Sequence, residues 1–167
     1  QFFGADERSQ EMSSGPVIYS GTFIWQKSDG TFVSPGEFIP LFESSGFITR
    51  FDMYIWKSVC KTLAAWQDKG RKLVPISINV SMIDITNIDV PQYLSMLTEQ
   101  YHISPEYLPV EITESVFAES NTIVKNTITR FHKKGFYVLM DDFGSGYSSL
   151  NVLKDANVDY LKLDMKF

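Results

Sequence analysis

The 167-residue chain holds one cysteine, Cys60, so no disulfide can form within it. That suits a reducing compartment, and the expected location is the cytoplasm. Cys60 itself reads as a small buried hydrophobe on a helix. No apolar run approaches the roughly 20 residues that cross a bilayer. No basic-then-apolar order opens the chain, so no signal peptide is expected. Basic clusters are lacking as well: 15 Lys and Arg stand against 20 Asp and Glu, for a formal net charge of −5. Nucleic-acid polymers and anionic membranes are therefore poor partners. An acidic protein still binds a phosphate ester when cations lie between the two. Histidine is scarce; His102 and His132 fall in or just after helices and read as surface residues.

What is present is an alternation of strand and helix patterns. Residues 1–15 are polar apart from Phe2 and Phe3 and read as a tail or linker, which leaves 16–167 as the domain. Pro16 to Trp25 reads as a strand, and Ser28-Asp29-Gly30 as a turn. Ser34-Pro35-Gly36-Glu37 has the composition of a capping box, followed by the apolar Phe38, Ile39, Leu41 and Phe42. Phe51, Ile55, Val59, Leu63 and Trp66 recur at helical spacing before Gly70. Strands are expected over Val74–Ser81, Leu108–Thr113, Phe136–Asp142 and Val158–Asp164. Helices are expected over Pro91–Tyr101 and Asn121–Lys134, the second with Ile123, Val124, Thr127, Ile128 and Phe131 inward. A short helix is expected around Leu150. Such alternation implies a parallel sheet with helices outside. A complete eight-unit barrel takes about 250 residues, and this chain supplies about five strands. The pattern is that of an open sheet or of part of a barrel.

The chemistry collects at the carboxyl ends of these strands: Asn79, Glu111, Asp141 and Asp142, with Lys162 on the last. In a parallel α/β fold those ends share one rim, where active sites form. Oxygen donors converging there suit hard cations such as Mg²⁺ or Mn²⁺. Adjacent aspartates can serve two metals about 4 Å apart, the arrangement used for in-line displacement at phosphorus. A lysine beside them can stabilise charge developing on phosphate oxygens. Asp142-Phe143-Gly144-Ser145-Gly146-Tyr147 offers loop amides to an anion. It lacks the third glycine of a dinucleotide fingerprint, and Ser145 lacks the spacing of a nucleophile elbow.

Val33–Glu43, Ile78-Asn79-Val80-Ser81, Glu111-Ile112-Thr113-Glu114-Ser115, Met140–Leu150 and Leu161-Lys162-Leu163-Asp164 together resemble the EAL domain, in the family's order and spacing. The resemblance implies a TIM-like barrel, here a partial one lacking its last strands. It implies metal-dependent opening of cyclic di-GMP to pGpG. Asn79, Glu111, Asp141 and Asp142 would bind Mg²⁺ or Mn²⁺, Lys162 would touch the activated water or the phosphate, and Glu114 would steady the loop after Asp142. Fused sensory or GGDEF domains and dimerisation would suit such a module.

The departures point the other way. Ser20-Gly21-Thr22 stands where the family carries Glu-Ala-Leu, and Ile24 where it often has a substrate-binding arginine. Residues 1–15 show no strand with the family's substrate glutamine. The strands carrying the general-base glutamate would follow Phe167. Two readings remain from the sequence: a phosphodiesterase domain with little or no activity in this chain alone, or a degenerate module that binds cyclic di-GMP or a protein without cutting.

Overall fold

A computed structural model describes residues 18–20, 25–118, 122–144 and 157–163. In chain order the elements are β1 (Tyr19–Ser20), β2 (Trp25–Gln26), β3 (Phe32–Val33), α1 (Pro35–Ser44), α2 (Ile48–Asp68), β4 (Ile76–Asn79), α3 (Met82–Asn87), α4 (Val90–Gln100), β5 (Val110–Thr113), α5 (Glu114–Ala118), α6 (Thr122–Lys133), β6 (Val138–Phe143) and β7 (Tyr160–Leu163). Strands β1, β4, β5, β6 and β7 form one sheet in that order, and every neighbouring pair is parallel. The strands expected over Val74–Ser81, Leu108–Thr113, Phe136–Asp142 and Val158–Asp164 correspond to β4, β5, β6 and β7, which lie side by side and parallel.

The period of two along each strand divides the sheet's faces. Ile76, Ile78, Val110, Ile112 and Val138 enter the core with Val59, Cys60 and Leu63 of α2, Leu94 of α4, and Ile128 and Phe131 of α6. Cys60 is fully buried, as its sequence setting suggests, and burial pushes its thiol up to about 12. Trp56 is buried in the same layer, and its indole N–H donates to the Asn79 carbonyl at 3.0 Å, anchoring the end of β4. The intervening residues, Ser77 and Asn79 on β4 and Glu111 and Thr113 on β5, are left for the other face. Helix α2 stops where Gly70 takes φ +65°, a conformation that would strain a side chain.

Several sequence expectations need correction. Within the stretch expected as one strand over Pro16–Trp25, the described Tyr19–Ser20 joins the parallel sheet, whereas Trp25, with Gln26, belongs to a second sheet and pairs antiparallel with Phe32–Val33 as a hairpin. Its turn is set by Asp29, whose carboxylate accepts from the Thr31 N–H at 2.9 Å. Ser34 is the N-cap of α1 and Pro35 follows it, yet the Ser34 side chain makes no capping bond. The Glu37 N–H donates instead to the Ser34 carbonyl at 2.9 Å. The capping box belongs to α3: Ser81 accepts from Asp84 N–H, and Asp84 accepts from Ser81 N–H. Ile123 is 48% exposed rather than inward, one step off the Val124–Thr127–Ile128–Phe131 stripe. Leu41 is also on the solvent side of its helix. The tail over 1–15, the loop over 145–150 and the short helix around Leu150 lie outside the described residues.

Candidate functional site

Strands β4, β5, β6 and β7 present Asn79, Glu111, Asp141 and Lys162 in turn. Asn79 is the register partner of Glu111, and Thr113 that of Asp141. Lys162 reaches across β6 and closes the group: its Nζ donates to Glu111 Oε1 at 3.0 Å and to Asp141 Oδ2 at 3.2 Å. Burial works against the ammonium charge, but Glu111 and then Asp141 outweigh it and hold the Lys162 pKa above its ordinary value. Glu111 is buried, and it accepts a second donor on the same oxygen, the Ser77 hydroxyl at 2.5 Å.

Asp141 and Asp142 would point to opposite faces of a regular strand. The end of β6 is not regular: Asp142 has φ +56° and the β6–β7 register shifts between Met140 and Phe143. Aspartate is among the few side chains that tolerate this backbone region, and bulges of this kind re-aim side chains. The Asp142 N–H turns back onto Asp141 Oδ1 at 3.0 Å. Asn79, Glu111, Asp141 and Asp142 all line one cavity of about 570 Å³, whose far wall is built by α1 and α2. Glu114, at the junction of β5 and α5, accepts the Gly144 N–H on Oε2 at 3.0 Å, and its Oε1 is buried without a hydrogen-bond partner.

Of the residues singled out from sequence, Asn79, Glu111, Asp141 and Asp142 line one cavity, Lys162 bonds to two of them, and Glu114 holds Gly144 just past Asp142. The donors are hard oxygens, one amide and three carboxylates, which is the chemistry Mg²⁺ and Mn²⁺ take. Among the described residues no three Asp, Glu, His or Cys side chains converge on one point, and the ammonium of Lys162 lies between Glu111 and Asp141. By ligand chemistry the donor set suits a divalent cation, with the Lys162 ammonium standing between two of its carboxylates.

The EAL domain family matches residues 11–167. This chain belongs to the EAL domain family. It is 35% identical over 157 residues to the probable cyclic di-GMP phosphodiesterase PdeB of Escherichia coli strain K12, a match covering 93% of this chain and 30% of that protein. Identity is 32% over 145 residues to the cyclic di-GMP phosphodiesterase PdeR of the same organism, covering 86% and 22%. The phosphodiesterase PaMucR, solved in complex with cyclic di-GMP, superposes with a TM-score of 0.79 at 26% identity, over 90% of this chain and 61% of that one. The chain thus spans less than a third of the length of these two curated relatives.

In this EAL chain Ser20, on the strand next to β4, is the register partner of Ser77. No described helix is long and apolar enough to cross a membrane. Sequence reasoning passed over three features. Ser77 gave no signal, because a serine inside a strand carries none. Asp52 on α2 lies beside the buried Asp84 of α3, and burial, then Asp84, pushes its carboxyl up to about 8. His132, read as an ordinary surface residue, bonds Asp159 at 3.0 Å and Asn157 at 3.3 Å. Asp159 also accepts the Val138 N–H at 2.7 Å, so the group ties α6 and β6 to the start of β7, at the end of the strands away from the site.

Proposed function

We propose that this chain is the cyclic di-GMP-binding part of a metal-dependent EAL phosphodiesterase domain, whose reaction opens cyclic di-GMP to pGpG, and that the chain alone turns over little or none. The observation that carries the reading is the Lys162 bridge to Glu111 and Asp141 in a cavity that Asn79 and Asp142 also line. Asn79, Glu111, Asp141 and Asp142 would hold Mg²⁺ or Mn²⁺. When bound, such cations neutralise phosphate oxygens and activate water. Lys162 holds its proton and offers positive charge to a phosphate oxygen at the place where negative charge grows during displacement. Glu114 fixes the start of the loop after Asp142 through the Gly144 N–H.

The weak turnover follows from Ser20, a neutral hydroxyl where the family resemblance calls for a metal-binding carboxylate. The same serine favours a second reading, a module that binds cyclic di-GMP without cutting it.

The test is a titration of the chain with cyclic di-GMP in the presence of Mn²⁺, followed by chromatography for pGpG. Binding with no detectable pGpG is expected. Hydrolysis at an ordinary enzymatic rate would refute the claim of weak turnover, and no binding with or without Mn²⁺ would refute the ligand.

A further inference from the structure

We propose that Ser77 is a positioning residue for Glu111, and that it acts on cation binding without touching the cation. The inference rests on the reading of the site as a metal centre. Ser77 lies on β4 two residues before Asn79, and it is 1% exposed. Its hydroxyl meets Glu111 Oε1 at 2.5 Å, and Lys162 meets the same oxygen at 3.0 Å. The two donors come from opposite sides of β5, one from β4 and one from β7 beyond β6. A carboxylate held by one oxygen from both sides cannot swing about its last torsion. Its other oxygen, Oε2, is then set in direction before any ligand arrives.

The arrangement also answers an energetic need. Glu111 is 3% exposed, and a buried carboxylate without donors is costly. Lys162 alone would have to serve both Glu111 and Asp141. The Ser77 hydroxyl lets Lys162 divide its charge between the two while Glu111 keeps a second donor. It is also neutral, so it orients the carboxylate without lowering the negative charge available to a cation. A second lysine or arginine at this position would hold Glu111 as firmly and repel the metal. Partners that orient a ligand in this way typically account for about 10–100-fold in metal affinity.

The experiment measures Mn²⁺ binding to the 167-residue chain by the loss of the free-Mn²⁺ paramagnetic resonance signal, with thermal melts run on the same metal-free samples. Ser77→Ala is expected to weaken Mn²⁺ binding by about tenfold or more. Ser77→Cys fills nearly the same space with a poor donor, so it should lose affinity while melting close to the parent. That pairing separates orientation of Glu111 from simple packing, and it keeps the test alive if Ser77→Ala does not fold. Equal Mn²⁺ affinity in the parent and in Ser77→Cys would overturn the inference and leave the metal site standing. Failure of the parent itself to bind Mn²⁺ would remove the metal reading, and this inference with it.

Discussion

Replacing Asp52 by asparagine is expected to stabilise this domain above neutral pH and to leave it nearly unchanged at pH 5. Asp84 is fully buried, and its Oδ2 accepts the Ser81 N–H at 2.9 Å and hydroxyl at 2.6 Å. Its Oδ1 is buried with no donor. Asp52 faces it from α2 and satisfies it only by carrying a proton. Glu43 of α1 adds a further negative charge. These causes, burial first, push Asp52 from an ordinary 3.8 to about 8. The native state therefore keeps a proton that the unfolded chain releases above 3.8. Stability from this group is present in full below 3.8 and falls as pH rises, until about 8. At about 1.36 kcal/mol per pH unit, the fall from pH 5 to 8 has a ceiling of about 4 kcal/mol. Asp52 lines the cavity, where water reaches it, so about 2 kcal/mol is the working figure. The side-chain amide of the variant donates to Asp84 at every pH. For a chain of this size that corresponds to a melting temperature about 4–8 °C higher for Asp52→Asn at pH 8.5. Melts at pH 5, 7 and 8.5 decide it. If the gap between parent and variant does not widen with pH, the shared proton is wrong.

Lys162→Met removes the one ammonium between Glu111 and Asp141. The lysine side chain is 36% exposed, so the loss in urea unfolding should be about 2 kcal/mol, between the values for surface and buried pairs; a change under about 0.5 kcal/mol would show that the bridge is incidental. Ser81→Ala should cost about 1–2 kcal/mol, because it removes the hydroxyl that accepts the Asp84 N–H and donates to the buried Asp84 carboxylate. Ser34→Ala, at a cap whose side chain makes no bond, should change stability by less than about 0.5 kcal/mol. Equal costs at the two serines would mean that the caps differ less than their hydrogen bonds indicate.

The sequence by itself determined the alternation of strands and helices, their parallel arrangement and the residues gathered at the strand ends. These follow from local rules: apolar spacing selects the element, glycine stops the helices, and a parallel sheet sends every carboxyl end to one rim. Asn79, Glu111, Asp141 and Lys162 could be placed on that rim because their positions in their strands are enough to do so. The tertiary structure alone decided how they meet. Asp142, which lines the cavity beside Asp141, sits where the backbone takes φ +56° at a shift in the β6–β7 register, which no strand pattern announces. Ser77 becomes a partner of Glu111, and Asp52 of Asp84, through contacts between residues far apart in the chain. Burial gives those contacts their force. A serine hydroxyl or a second carboxylate means little in water, but beside side chains as buried as Glu111 and Asp84 each must find a donor, an acceptor or a proton.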